Sequence, residues 1–290
     1  MNPRRALAFL ALTLAASAAA DSYTDSVEAW RKRRTDNLIA PEGWLALVGR
    51  HPLPPGRHSI GSAAGNDIRL AAGPARLGTI SHEPGGKVVV ALTDGVDAKI
   101  DGTDARSAAL AYGSANPTYV RAGTVNFYVH RAGADLFLRV RDSESARRRD
   151  FAGLAWYAID PAWRFEAEWV AFPQPRQVPI VNVLGQTTTE TAPGKAVFEC
   201  GGRKYELMPV VAGERLFYIF TDETAGEETY EASRFLYSDA PKDGKVVLDF
   251  NQAYNPPCAF SPFTTCPLPP KENRLPLRVT AGERAYPGAR

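Results

Sequence analysis

Short strand-like runs separated by turn residues fill the chain from Gly43 to Phe250, and this pattern limits the fold more than any other feature. Apolar and β-branched residues dominate runs such as 87–92, 124–130 and 245–250. Glycine, asparagine and aspartate lie between the runs, which is typical of hairpins and short loops, and Gly201-Gly202 predicts a two-residue hairpin turn. Strands do not alternate with long helices, so a parallel α/β sheet is disfavoured. The sequence predicts a mainly β fold with antiparallel sheets.

The first residues have the three parts of a secretory signal peptide. Arg4 and Arg5 precede an apolar stretch over 6–16, and small residues lead to a cleavage position after Ala20. The apolar stretch is shorter than the roughly 20 residues that a membrane-spanning helix needs, and no later segment approaches that length. We therefore expect an exported protein without a membrane span, located in the periplasm or outside the cell.

Charge composition argues against a nucleic-acid partner. The full chain has 34 basic and 32 acidic side chains. Removal of residues 1–20 takes away Arg4 and Arg5 and no acid, which leaves the remainder formally neutral. Nucleic-acid binding needs a clustered basic excess.

The domain organisation follows from two changes in pattern. Ser22-Tyr23-Thr24-Asp25 resembles a capping box that starts a helix, and Val27, Trp30 and Leu38 follow at loosely helical spacing before Pro41. The polar stretch 142–150 interrupts the strand-like runs. The tail over 251–270 is rich in proline and contains two of the three cysteines. We predict a signal peptide over 1–20, an N-terminal helix over 21–40, a β-sandwich over 41–145, and a C-terminal antiparallel β-domain with a Pro/Cys-rich tail over 146–290.

The predicted sandwich carries a short family resemblance. Ile60-Gly61-Ser62 followed by 66–70 resembles the opening of a forkhead-associated β-sandwich, a fold whose binding members recognise phosphothreonine peptides. Those members have an arginine where this chain has Ser62. Because a phosphate needs charge-assisted hydrogen bonds, the resemblance implies a scaffold that kept the fold and lost the phosphopeptide site.

A second resemblance is more specific and extends over most of the chain after residue 20. The matching segments are Trp30-Arg31, 43–45, 220–224, Thr229-Tyr230, 234–236, 249–258, 266–270 and Asn273. In these segments the chain resembles the domain-of-unknown-function family numbered 1684. The resemblance implies a fold and the place of a candidate site, and it implies no activity.

Cys258 and Cys266 flank a short loop between proline-rich arms. In an oxidising compartment this spacing favours a disulfide, which the loop-entropy estimate places at roughly 2.5–3 kcal/mol. Two alternatives stay open, namely a bond to Cys200 and free or metal-bound thiols. The spacing is not a zinc pattern, and His51, His58, His82 and His130 form no metal pair, so we expect no metal and no cofactor.

The candidate pocket consists of polar residues near two strand ends. Six residues form the set: Asp249, Arg234, Tyr230, Asn251, Tyr254 and Asn255. Convergent polar groups at strand ends can build a binding site. Alternation along the strand is expected to turn Asp249 inward together with Val247, and a buried Asp249–Arg234 pair that pins the tail would use the same residues for structure. A nearby acidic group, Asp222, Glu223, Glu227 and Glu228, is expected to be a solvated loop rather than a cation site.

Two functions remain on sequence grounds. The first is a non-catalytic module that binds a small ligand or a cell-envelope protein. The second is a cofactor-independent hydrolase or lyase that uses Asp249 with Arg234 and Tyr230. No motif for a nucleophile with its base is present, and this favours the binding module without deciding whether the protein is an enzyme.

Overall fold

A computed structural model describes residues 3–114 and 116–288, with side chains from Asp21 onward. The described chain is mainly β and most of its strand pairs are antiparallel, as the sequence predicts. The predicted signal peptide over 1–20 lies outside the residues whose side chains are described. Helix α1 covers Pro3–Ile39, so the predicted helix over 21–40 is its last part and does not begin at Ser22.

The chain forms two compact units whose boundaries are not contiguous in sequence. The N-terminal unit consists of Asn37–Ala152 and Phe260–Thr264. The C-terminal unit consists of the chain up to Asp36, Gly153–Ala259 and the chain from Thr265 onward. The end of the predicted signal peptide is therefore followed by a helix segment that belongs to the C-terminal unit.

The N-terminal unit contains ten short strands and one short helix. They are β1 (Leu47–Pro52), β2 (Gly56–Gly61), β3 (Ile68–Arg69), β4 (Gly78–His82), β5 (Val88–Leu92), β6 (Lys99–Ile100), β7 (Ser107–Ala109), β8 (Val120–Ala122), β9 (Val125–Ala132), β10 (Asp135–Asp142) and α2 (Ala146–Arg149).

These strands form two five-stranded sheets, in the orders β1-β10-β9-β8-β6 and β3-β2-β4-β5-β7. Alternate residues of β5, Val88 and Val90, are buried, as the pleat requires when one face of a sheet is covered. Side chains of both sheets, including Ile80 and Leu138, meet in one apolar core. The assignment to the forkhead-associated family stays a prediction.

The C-terminal unit contains the remaining strands: β11 (Arg164–Val181), β12 (Thr187–Cys200), β13 (Arg203–Leu207), β14 (Val210–Ala212), β15 (Arg215–Phe220), β16 (Arg234–Ser238) and β17 (Lys245–Asp249). They form one sheet in the order β13-β12-β11-β17 and a second in the order β14-β15-β16.

The long β11–β12 hairpin is the largest element of this unit. Its pairing shifts register between Ala171 and Arg176, where Pro173 and Pro175 cannot donate to the ladder. Gly201 and Gly202 connect β12 to β13 with φ angles of 59° and 75°, and a two-residue turn of this kind is unfavourable for other residues. The hairpin turn predicted at these glycines is confirmed.

Aromatic rings fill the core between the two sheets of the C-terminal unit. Phe165, Phe198 and Phe250 lie within 6 Å of one another, and Trp163 packs edge-on against Phe250. Trp163 is therefore part of the core.

The C-terminal tail, from Asn251 onward, has no strands among its described residues and is held by side-chain hydrogen bonds. Asn273 is 1% exposed; its Nδ2 donates to the carbonyls of Met208 and Ile219, and its Oδ1 accepts from Met208 N–H at 2.8 Å. One buried amide thus pairs three backbone groups that would otherwise be unsatisfied.

Candidate functional site

The candidate site is a groove in the C-terminal unit with a volume of about 1310 Å³. It lies between β16 and β17, next to the part of α1 that begins at Asp21. Its lining includes Tyr23, Ser26, Arg164, Tyr237, Val247 and Gln252. Asp249, from the sequence-derived set, also lines it.

Strand β17 explains how Asp249 reaches the groove. Val246 and Leu248 are buried, whereas Val247 is 38% exposed. Because side chains alternate along a strand, Asp249 lies on the same side as Val247. The expectation that Asp249 would turn toward the core together with Val247 is wrong. Asp249 is only 8% exposed because Tyr23 and Gln252 cover it.

The carboxylate of Asp249 accepts four hydrogen bonds. Its Oδ1 accepts from the Tyr23 hydroxyl at 2.9 Å, from Asn251 N–H at 3.1 Å and from Asn251 Nδ2 at 3.2 Å. Its Oδ2 accepts from Gln252 Nε2 at 3.2 Å. Asn251 Nδ2 also donates to the Tyr23 hydroxyl and to the Asp160 carbonyl. Asp249 and Asn251 are the two predicted site residues that the fold brings together.

Tyr23 is held as a neutral donor beside this carboxylate. Burial raises the pKa of its phenol far above the ordinary value, and the negative charge of Asp249 raises it further. The phenol therefore keeps its proton at any physiological pH and donates a hydrogen bond to Asp249. The sequence identified Tyr23 only as part of a possible helix cap, and its distance from Asp249 along the chain concealed the contact.

Arg234 does not contact Asp249, and the predicted Asp249–Arg234 pair is wrong. Arg234 is 1% exposed and pairs with Asp222. Its guanidinium also donates to the carbonyls of Ala281 at 2.6 Å and Val279 at 3.0 Å. The inward carboxylate that Arg234 needs comes from the acidic stretch that the sequence predicts to be a solvated loop.

Asp222 is buried because the loop after β15 turns inward. Its Oδ1 accepts from the N–H and the hydroxyl of Thr224, and its Oδ2 accepts from Val279 N–H at 2.9 Å. The Thr224 hydroxyl in turn bonds to that of Thr229. Asp222 therefore satisfies both Arg234 and the surrounding backbone. Glu223 and Glu227 in the same stretch are exposed, as expected.

The other three predicted site residues lie outside the groove. Tyr230 is half-buried, and burial raises its pKa. The ring of Tyr254 packs against Trp30, with its centroid 6.1 Å from that of the indole. Asn255 is buried, and its Nδ2 donates to the Arg284 carbonyl at 2.7 Å. The six predicted residues thus do not converge on one pocket.

A buried ion pair that the sequence did not indicate joins α1 to the tail. Arg34 Nε donates to Glu283 at 3.2 Å, and its Nη2 donates to the Asn255 carbonyl at 2.9 Å. Glu283 is fully buried, and burial raises its pKa. The sequence around Glu283 does not indicate this ion pair, because the partner Arg34 lies in a helix at the other end of the chain.

The disulfide between Cys258 and Cys266 is present, as predicted, with Cα atoms 6.0 Å apart. Cys200 is a free cysteine. The residues between the bridged cysteines include Phe260–Thr264, which belong to the N-terminal unit.

Among the described residues, no group of three or more histidine, cysteine, aspartate or glutamate side chains is placed to hold a metal ion. None of the described helices combines the length and the apolar character that a membrane span requires.

Comparisons with known proteins find a matching family for the C-terminal part of the chain. The family model described as "Protein of unknown function (DUF1684)" matches residues 149–284. The solution NMR structure of an uncharacterized protein from Haloarcula marismortui is 33% identical in sequence, covering 47% of this chain and 78% of that one, with a TM-score of 0.40. No curated protein matches the chain.

Proposed function

Residues 149–284 belong to the DUF1684 family of proteins of unknown function, and from this premise we propose that the protein is a non-catalytic binding module whose ligand occupies the groove beside Asp249. The ligand is a small molecule or an exposed part of a cell-envelope protein. The proposal includes export through a signal peptide over 1–20 to the periplasm or the medium. It also includes a forkhead-associated-like N-terminal unit that serves as a scaffold.

The hydrogen bonding of Asp249 carries the proposal. A general base or a nucleophilic carboxylate must exchange protons or bonds with its substrate. The Asp249 carboxylate already accepts four hydrogen bonds from Tyr23, Asn251 and Gln252. Such an acceptor is fixed in position and serves to shape a binding surface.

The position of Arg234 supports the same conclusion. A hydrolase or lyase that uses Asp249 with Arg234 and Tyr230 needs the three side chains around one substrate. The Arg234 guanidinium is buried, and its hydrogen bonds go to Asp222, Val279 and Ala281. The fold therefore does not assemble that catalytic group.

A blocking variant tests the groove as the binding site. Ser26 is exposed and lines the groove, whereas the adjacent Asp25 is exposed and does not line it. We would titrate the purified protein with a panel of sugars, amino acids and short peptides and follow backbone amide shifts by NMR. Binding should shift amides around Tyr23, Tyr237 and Asp249. Ser26→Trp should abolish these shifts, and the matched control Asp25→Trp should retain them.

A catalytic assay provides the opposing outcome. The same protein would be incubated with chromogenic esters and glycosides, and we expect no turnover above background. Turnover that Asp249→Asn removes would overturn the non-catalytic proposal. Ligand shifts that persist unchanged in Ser26→Trp would show that the groove is not the site.

A further inference from the structure

Strand β17 presents a free edge to the groove. Trp169 N–H donates to the Gly244 carbonyl at 2.8 Å in the β11–β17 ladder. Backbone groups of an antiparallel strand alternate in direction, so Gly244, Val246 and Leu248 bond toward β11. The backbone groups of Val247 and Asp249 therefore point away from β11.

The available part of this edge is centred on Val247. Nearer the turn, Lys245 exchanges backbone hydrogen bonds with Lys242 at 3.0 and 2.8 Å. On this side, the N–H and C=O of Val247 take part in no strand ladder and in no loop or turn hydrogen bond with the described part of the chain. Val247 is one of the residues that line the groove, so this donor and acceptor lie at the groove wall.

A second strand edge, that of β16, also borders the groove. Phe235 of β16 exchanges backbone hydrogen bonds with Tyr254 at 2.8 and 2.9 Å, on the side away from β15. Because the direction repeats every second residue, the backbone of Tyr237 points to the same side. Tyr237 also lines the groove. Strands from two different sheets thus offer edges to one groove.

The charge of the groove does not select an ionic ligand. Lys245 pairs with Glu166 across the ladder, and Arg215 pairs with Asp239 at 3.5 Å. Its lining has equal numbers of basic and acidic side chains: Arg164, Arg215, Lys242 and Lys245 against Glu166, Asp239, Asp243 and Asp249. A ligand recognised here through backbone groups would be selected for its extended shape and not for its charge.

We propose that the groove binds an extended peptide segment of another protein, which adds as a strand to the Val247 edge of β17. This inference rests on the proposed function and names its ligand class. In strand addition, main-chain hydrogen bonds supply much of the affinity and side-chain contacts supply the selectivity. The edge from Val247 to Asp249 pairs with about three to four residues of an added strand, given a rise of about 3.3 Å per residue.

Proline at position 247 isolates the backbone contribution. The Val247 N–H points away from β11, so Val247→Pro removes the edge donor and leaves the ladder intact. Val247→Thr keeps the N–H and nearly the same shape, and it is the matched control. A displayed library of random dodecamer peptides would be selected on the purified parent protein. Selected peptides would then be measured by fluorescence anisotropy against both variants and against Ser26→Trp.

We expect the selected peptides to bind Val247→Thr as they bind the parent, and to bind Val247→Pro about tenfold more weakly, since at least one buried hydrogen bond is lost. Replacing single amides of the peptide by esters tests the same bonds without changing the protein. One or two ester positions at alternate residues should weaken binding to the parent, and this result stands even if Val247→Pro does not fold.

Three results would overturn the peptide proposal, and they separate it from the binding-module proposal. If no peptide is enriched while sugars or amino acids bind in a Ser26→Trp-sensitive manner, the groove binds another ligand class. If peptides bind in the groove but tolerate Val247→Pro and every ester, recognition is not by strand addition. If peptides bind and Ser26→Trp has no effect, both proposals fail.

Discussion

The guanidinium of Arg234 and the carboxylate of Asp222 form an ion pair in which both side chains are at most 1% exposed. The two residues lie at the ends of the loop that connects β15 to β16. Their remaining hydrogen bonds go to the backbone of Val279 and Ala281 in the tail. The pair therefore holds a loop and a tail segment together, and its role is structural.

Arg234→Ala should lower the free energy of unfolding by about 3–5 kcal/mol, because it leaves the Asp222 carboxylate buried without its cation. Urea denaturation followed by tryptophan fluorescence measures this loss. Arg215→Ala is the control, since the Arg215–Asp239 pair is exposed and contributes under about 1 kcal/mol. The double variant Arg234→Met with Asp222→Leu should recover only part of the loss, because the Val279 N–H and the carbonyls of Val279 and Ala281 stay unsatisfied. Equal midpoints for Arg234→Ala and the parent would contradict a structural pair.

Asn273→Ala should destabilise the C-terminal unit by about 3 kcal/mol, since it leaves the N–H and C=O of Met208 and the carbonyl of Ile219 unsatisfied. Asn273→Asp should also destabilise it, because a carboxylate cannot donate to the two carbonyls. Differential scanning calorimetry of both variants checks this. A melting temperature for Asn273→Asp equal to that of the parent would rule out the amide as the donor.

Removal of the disulfide by Cys258→Ser with Cys266→Ser should cost about 2.5 kcal/mol, as estimated from the entropy of closing a short loop. Chemical denaturation of this variant gives the loss directly. Cys200→Ser keeps the bridge and is the matched control. A reducing agent should destabilise the parent and Cys200→Ser alike and leave the bridgeless variant unchanged.

Stability of the N-terminal unit should fall on acidification because of His130. Burial, together with the nearby cations of Arg139 and Arg50, lowers the pKa of His130 from the ordinary value of 6.5 to about 4. Between these two values the unfolded chain binds a proton that the folded chain does not, so the free energy of unfolding rises with pH. Above about pH 6.5 neither the folded nor the unfolded chain binds this proton, so His130 no longer lowers the free energy of unfolding.

Denaturation at a series of pH values between 4 and 6.5 tests this dependence. His130→Gln should flatten the slope, because glutamine does not titrate. His51, whose pKa burial also lowers, should make a contribution of the same sign. A slope that His130→Gln leaves unchanged would assign the acid sensitivity to other groups.

The sequence was sufficient for those features that depend on neighbours along the chain. Period-two alternation predicted the strands, the glycine pair predicted the turn between β12 and β13, and the spacing of Cys258 and Cys266 predicted the disulfide. Each of these depends on a short segment whose geometry is fixed locally.

The candidate site could be predicted only in part because its contacts join distant segments. Asp249 and Asn251 are two positions apart on the chain and were both identified, but their partner Tyr23 is 226 residues away from Asp249. Arg234 was correctly expected to be buried with a carboxylate. The choice between Asp222 and Asp249 as its partner depends on how the loop after β15 turns inward, and no local pattern records that turn.

The division of the chain between the two units also sets the order in which they can be completed during synthesis. The ribosome makes the α1 segment of the C-terminal unit first. Asp249, which accepts a hydrogen bond from the Tyr23 hydroxyl of that segment, is made more than two hundred residues later. The N-terminal unit likewise lacks Phe260–Thr264 until most of the other unit has been translated. Neither unit can therefore reach its final set of contacts while the chain is still short, and a nascent chain that stalls before Thr264 leaves both unfinished.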